Sequence, residues 1–317
     1  MRKENLDITV LTYNTHLFKG SIVEFVDNFL RLFDRGRNPL VFDDNIRSRH
    51  IVSRIKECGA DIVALEEVWA YARKKWFARE LKGIYPFHYY PHENWFDLRS
   101  TCGLVLLSKW RLANMKFTKF RDLHGDDAWS KKGIIMATVE DCPASSCMFR
   151  VGVSHAGTDT GGAGQPNIRQ IAEEIEAEGG PAIVMGDFNV HKSNYDAMNN
   201  IFNHTGATDA FREVHKNHVN GEETIDLQEN RLNRIFSPKA DPNDRGEGNF
   251  DRIDFVYVKK SGTGLKLLPR DAYVIHDWKY ESERGLMDLS DHYPLVVKFS
   301  CDLDANETAS GTDENTD

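Results

Sequence analysis

The sequence predicts an α/β (α+β) fold, two packed mixed β-sheets with helices outside, and three observations carry that expectation. Short apolar runs recur along the whole chain. Segments with helical spacing lie between them. The runs arrive both in clusters and in alternation with those segments, an order that suits two sheets better than one.

The runs are Ile8–Tyr13, Ile62–Leu65, Leu104–Leu107, Ile134–Val139, Phe149–Val153, Ala182–Met185, Phe255–Val258 and Leu295–Phe299. Their brevity and their flanking Gly, Pro, Asp and Ser mark them as buried strands. Three segments read as helices. Ile22, Phe25, Val26 and Phe29 follow the cap residue Ser21; Ile46, His50, Ile51 and Ile55 precede Cys58-Gly59; Ile168, Ile171 and Ile175 precede Gly179-Gly180. No linker or internal repeat divides residues 1–300, which are expected to form one catalytic domain. From Asp302 to Asp317 there are six acids and no Lys or Arg, so residues 301–317 read as a disordered acidic tail. The loop Gly157–Gln165, with four glycines, is expected to be mobile.

At 317 residues, 40% hydrophobic and 28% charged, the chain has the makeup of a globular protein able to bury a full core. No run approaches the ~20 apolar residues of a membrane span, and the first strand begins too near Met1 for a signal peptide, so a cytoplasmic monomer is expected. Five cysteines show no metal-binding spacing, and their odd number points to reduced thiols rather than a disulfide framework, with a Cys142–Cys147 pair across a short loop as the alternative. A net charge of −9 gives no general attraction for a nucleic acid backbone.

Chemistry concentrates where strands end. In order come Leu11-Thr12-Tyr13-Asn14, Leu65-Glu66-Glu67, Ser154-His155, Gly186-Asp187-Phe188-Asn189, Arg252-Ile253-Asp254-Phe255 and Ser290-Asp291-His292. Together they offer hard oxygen ligands for a divalent cation, a base and two imidazoles, the equipment for metal-assisted hydrolysis of a phosphate ester. Asp187 and Asn189, two apart on extended chain, share a face beyond a side-chain-free turn at Gly186. Glu66 and Glu67 should face opposite ways, so one of them reaches a metal. Asn14 joins the same cation or closes a turn. Asp254, an acid inside an apolar strand, needs a partner, and a histidine is the natural one. His292 and His155 supply imidazoles. His88 with His92, and His215 with His218, have zinc-like spacing but no accompanying ligands, so they read as structural. In Ser130-Lys131-Lys132-Gly133, Lys132 is the residue placed against an anionic substrate.

This ordered set resembles the endonuclease/exonuclease/phosphatase superfamily, over about residues 7–300. The resemblance implies a four-layer sandwich, Glu67 as principal Mg²⁺ ligand (Mn²⁺ substituting) with Asn14 beside it, and Asp291 completing the metal shell. It further implies that Asp187 orients or deprotonates the attacking water, Asn189 holds phosphate or metal, Asp254 orients His292, and His155 stabilises charge from another strand. Two departures stand out: the family usually has Gln where this chain has Glu66, adding negative charge, and Val68-Trp69-Ala70-Tyr71 lacks a further amide or acid. The Lys132-Gly133 strand entry and Cys102–Lys109 look like those of neutral sphingomyelinases, and the aromatic loop Tyr89–Phe96 is either a membrane contact or a packed cover.

The expectation is a Mg²⁺-dependent phosphodiesterase using in-line water attack on a lipid or small-molecule substrate. A nuclease acting on DNA or RNA is the first alternative, and a catalytically silent binding module on the same fold is the second.

Overall fold

The computed structural model describes residues 6–21, 24, 41–92, 101–142, 148–158, 164–177, 179–237, 239–241, 243–246, 248–260 and 265–303. The helix expected from Ile22 to Phe29, residues 93–96 of the aromatic loop, Cys147, residues 159–163 of the glycine loop and residues 304–317 of the tail lie outside them.

Two six-stranded sheets stack face to face. The first has the order β13 (Leu265–Val274), β16 (Leu295–Leu303), β1 (Leu6–Leu17), β2 (Ile62–Val68), β4 (Val105–Ser108), β3 (Phe87–Tyr89). The second has the order β5 (Arg111–Lys119), β6 (Gly133–Glu140), β7 (Phe149–His155), β8 (Ala182–Asp187), β12 (Asp254–Lys259), β9 (Ala207–Asp209). Two short pairs accompany them: β10 (Ile225–Asp226) with β11 (Phe250–Asp251), and β14 (Lys279–Ser282) with β15 (Gly285–Asp288). All eight expected strands form. β16 continues to Leu303, so the first residues assigned to the tail belong to the sheet.

The layers follow from alternation along the strands. Ile8, Val10, Ile62, Ala64, Val151, Ile183 and Val256 point between the sheets and form the central core. Leu11, Tyr13, Val63 and Leu65 point outward from the first sheet against α1 (Asp44–Cys58) and α2 (Tyr71–Leu81), through Ile51, Ile55, Phe77 and Leu81. Val184, Phe255 and Tyr257 point outward from the second sheet. They meet Ile168, Ile171 and Ile175 of α3 (Gly164–Glu176) and Met198 and Phe202 of α4 (Tyr195–His204). Two short helices, α5 (Ala210–Val214) and α6 (Arg231–Phe236), complete the described α-helices, and 3₁₀ turns span Gly125–Trp129 and Lys192–Asn194. Among the described residues, no helix is long and apolar enough to cross a membrane.

The buried stripe of α1 is offset from the expected one. Ile46 is 45% exposed and His50 is also exposed, whereas Arg47, Ser48, Ile51, Val52 and Ile55 are buried. Hydrophobic spacing alone could not place a buried arginine on the inner face. Gly59, at φ 67°, closes this helix in the left-handed conformation, its N–H bonding the Ile55 carbonyl.

Candidate active site

The central core is apolar through most of its depth and turns polar at one end. There the next inward residues of β1 and β2 are Thr12, Asn14 and Glu66, and facing them across the sandwich are His155, Asp187 and Asp254. The register brings the facing set together: β7 and β8 run parallel with His155 beside Asp187, and β12 runs antiparallel to β8 with Asp254 beside Asp187. Close packing of these three backbones explains Gly186. It is a strand residue rather than the expected turn, and a Cβ on it would lie 1.8 Å from the Ser154 carbonyl oxygen.

Asp187 is the hub. Its Oδ2 accepts from Asn14 Nδ2 at 2.9 Å and lies 3.5 Å from His155 Nε2 and 3.8 Å from His292 Nε2; its Oδ1 accepts from the Asn189 backbone N–H at 2.9 Å. The Asn189 amide donates to the Ala156 carbonyl at 3.1 Å, so the turn after β8 both closes the strand and steers the two side chains. Burial pushes the Asp187 carboxyl up to about 7, with the neighbouring Asp254 adding to it.

Asp254 and His292 form the anticipated pair, Oδ2 to Nδ1 at 2.8 Å, both buried. Burial alone would lower the His292 imidazole, but Asp254, backed by Asp187 and Asp291, holds it well above its ordinary value. His155 goes the other way: burial, then the charge of Lys132, pushes it well down, so it is neutral. Among the described residues, neither His155 nitrogen has a hydrogen-bond partner, nor has Asp254 Oδ1. Buried polar atoms left unpaired in this way are costly, and they are concentrated where a ligand can satisfy them.

The two glutamates do not separate as strict alternation requires. The ladder between β1 and β2 slips between Asn14 and Leu17, and His16 and Glu67 take positive φ values of 47° and 56°. This bulge turns Glu67 back toward the site. Its Oε1 accepts from Asn14 Nδ2 at 3.1 Å and lies 3.8 Å from His155 Nε2; its Oε2 accepts from Trp69 Nε1 at 3.4 Å. Glu66, fully buried, accepts from Thr12 Oγ1 at 2.9 Å. Burial, then Asp254, pushes its carboxyl well above the carboxylate range, so it is a neutral acid. Burial thus opposes the extra negative charge expected at this position and favours the protonated acid, a neutral group like the Gln usual there.

Other candidates sit differently from expectation. Asn14 turns its NH₂ toward Glu67 and Asp187 while its Oδ1 accepts from the His16 backbone N–H at 3.2 Å. Asp291 lies beside His16, Oδ2 to Nδ1 at 3.1 Å, and that imidazole holds it below the ordinary carboxylate range against the effect of burial. Lys132 is only 2% exposed. Its Nζ pairs with Asp127 at 2.8 Å and donates to the Ala156 carbonyl at 3.0 Å. Asp127 also accepts from the Thr158 backbone and hydroxyl, so this pair braces the segment after His155. His88 stacks on Tyr90, His92 contacts Tyr71, His215 bonds the Ala272 carbonyl and His218 pairs with Glu222, all outside the site.

Sequence reasoning missed His16, Trp69 and Thr12. Thr12 and Asn14 are two residues apart on one strand, so period-two spacing carried a signal for Thr12, whereas the bulge takes His16 and Glu67 out of that alternation and Trp69 lies beyond the end of β2. The carboxylates of Glu67 and Asp187 and a nitrogen of His155 lie within 4.8 Å of one another, as do ligand atoms of Asp187, Asp254 and His292. Such a grouping of oxygen donors with imidazole nitrogens can hold a divalent cation.

The geometry agrees with similarity to known proteins. A sphingomyelinase C from Streptomyces griseocarneus is 19% identical, with 92% of this chain and 99% of that one covered at TM-score 0.62. A beta toxin mutant from Staphylococcus aureus with bound magnesium ions is 17% identical over 92% and 99%, at 0.60. TDP2 of D. rerio complexed with single strand DNA product is 15% identical over 92% and 98%, at 0.63. At these identities the likeness is one of fold, and no curated protein sequence matches the chain. Residues 11–292 match the profile of the Endonuclease/Exonuclease/phosphatase family, and the chain belongs to that family.

Proposed function

We propose that the chain is a divalent-metal-dependent phosphoesterase that hydrolyses a phosphodiester by in-line attack of water. The observation that carries this reading is Asp187, a buried carboxylate set between two imidazoles of opposite charge state and within reach of Glu67. The unpartnered His155 nitrogens and Asp254 Oδ1 beside these carboxylates suit a site built for a charged ligand. Glu67 and Asp187 would hold Mg²⁺ or Mn²⁺, with Asp291 nearby and Asn14 contributing if its amide turns over. Bound there, the cation would draw charge from the phosphoryl oxygens and acidify water.

The residues divide the remaining work by charge. Asp187, with a value near neutrality in the metal-free protein, is placed to orient the attacking water and take its proton. His292, kept cationic by Asp254, donates from Nε2 to the phosphoryl oxygens as negative charge develops and then protonates the leaving oxygen. His155 donates a neutral N–H from the neighbouring strand. Asn189 fixes the turn that aims Asp187, and Lys132 supplies positive field rather than direct contact in this arrangement.

A lipid or small-molecule phosphodiester is the favoured substrate, supported by the net charge of −9 and the sphingomyelinase likeness. A second reading, a nuclease, has one observation in its favour. A cavity of about 470 Å³, which includes Val190 and Arg252 from the segments that follow Asn189 and precede Asp254, is lined by exposed Lys192 and Arg245 with the rings of Tyr195 and Phe250, the kinds of residue that hold phosphates and stack bases. Glu222, Glu223 and Asp251 in the same lining weigh against it.

The test is Mg²⁺-dependent hydrolysis of sphingomyelin in mixed micelles, plasmid DNA and bis-(p-nitrophenyl) phosphate by wild type and Glu67→Ala. The reading requires a wild-type activity that the variant loses, and the preferred substrate separates lipid from nucleic acid. Activity that survives both chelation and the Glu67 substitution would overturn it.

A further inference from the structure

His16 is an imidazole at this end of the sandwich that the proposed reaction does not use, and its ring faces, its backbone and Nδ1 are all held, while Nε2 has no partner among the described residues. Its ring stacks on Phe236 with centroids 3.9 Å apart and meets Phe18 edge-on at 4.8 Å. Its backbone N–H donates to Asn14 Oδ1, and its carbonyl accepts from the guanidinium of buried Arg47. The left-handed backbone at φ 47° belongs to the bulge that redirects β1. A non-glycine residue rarely adopts this conformation without a reason in the surroundings. The consequence is that Nδ1 sits between two carboxylates, 3.1 Å from Asp291 Oδ2 and 3.5 Å from Glu67 Oε2. Both neighbours only accept when ionised, so Nδ1 must carry the hydrogen.

We propose that His16 is a positioning residue whose Nδ1–H ties Glu67 to Asp291, presenting the two carboxylates as one cation-binding unit. The inference rests on the metal-dependent reading above and extends it to a residue that touches neither substrate nor reacting atoms. Ligating carboxylates that are themselves hydrogen-bonded keep one orientation, and loss of such a support commonly costs metal affinity. Without the Nδ1–H, Glu67 keeps only Trp69 on its Oε2, and Asp291 keeps the Ser290 hydroxyl.

Asparagine and glycine separate the donor from the backbone, because both tolerate positive φ but only asparagine places an N–H near the position of Nδ1. Calorimetric titration of the metal-free full chain with Mg²⁺ should show His16→Asn within about threefold of wild type and His16→Gly weaker by about tenfold or more. The metal-free variants should melt close together, and His16→Ala replaces the glycine variant if that one fails to fold. Equal Mg²⁺ affinity in wild type and His16→Gly would overturn the proposal, as would equal weakening in His16→Asn and His16→Gly. Glu67→Gln in the same titration keeps the two readings apart. If it binds as wild type does, or if wild type binds nothing, the metal reading fails and this one with it. If it alone loses affinity, only the role of His16 is refuted.

Discussion

At the end of β1 two buried polar clusters lie side by side, one around Arg47 and one around Asp187, and they differ in how their hydrogen bonds are used. Arg47 is completely buried, and every arm of its guanidinium has an acceptor: the carbonyls of Phe42, Thr15, His16 and Leu289 and the Asp44 carboxylate. Asp44 in turn accepts from the Phe18, Lys19 and Phe42 backbone N–H groups. The Asp187 cluster leaves His155 Nδ1 and Nε2, Asp254 Oδ1, Glu66 Oε2 and His16 Nε2 without partners among the described residues. A satisfied buried network fixes a conformation; an unsatisfied one sacrifices stability and is retained where chemistry requires it. On that contrast Arg47 is scaffold, stitching α1 to the strand that carries Asn14, and the Asp187 cluster is the proposed reaction centre.

The widest split between the clusters should appear in turnover. Asp187→Ala and His292→Ala should each lower the hydrolysis rate by about 10³-fold, within the range for losing a positioned acid or base, with the circular dichroism spectrum unchanged. Wild-type rates in either purified variant would erase the distinction. Stability should show the reverse pattern. Arg47→Met leaves Asp44 buried without its cation and should cost about 3–5 kcal/mol in urea unfolding. A loss below 1 kcal/mol would mean that this network is not structural.

The smallest effect expected is at Glu66. Its carboxyl in the fold is raised above the ordinary 4.5, so the stability it allows is complete below about that pH and is lost as pH rises toward the folded value. Glu66→Gln carries no such loss. It should match wild type near pH 4, melt progressively higher as pH increases to 8, and hydrolyse substrate within about threefold of wild type, since single substitutions away from a named defect change little. A Glu66→Gln variant that melts lower at pH 8, or that loses activity, would show an ionised Glu66 at work.

How much of this was legible in the sequence depended on position in the sheet. The eight strands anticipated from apolar runs are β1, β2, β4, β6, β7, β8, β12 and β16, all interior to their sheets. The four missed in these two sheets, β3, β5, β9 and β13, are the sheet edges, and the short pairs β10–β11 and β14–β15 were missed as well. An edge strand is covered on fewer sides, so β5 and β13 mix exposed and buried residues and show no continuous apolar run. The site was readable for a related reason: polar residues such as Asp187 and Asp254 interrupt interior strands where apolar ones belong. His16 was hidden because its placement depends on a bulge, and Lys132, expected against an anionic substrate, is instead buried against Asp127, a pairing that no local spacing signals.

The most direct test of the contrast is a paired measurement on His155→Leu, which replaces an unpartnered buried imidazole by an apolar side chain of similar size. Metal-free thermal melting and initial rates should be recorded on the same preparation. The account predicts a melting temperature equal to or above that of wild type, with turnover lower by about 10²-fold or more. A variant that melts well below wild type while hydrolysing at the wild-type rate would place His155 in the scaffold and contradict the assignment of this cluster to catalysis.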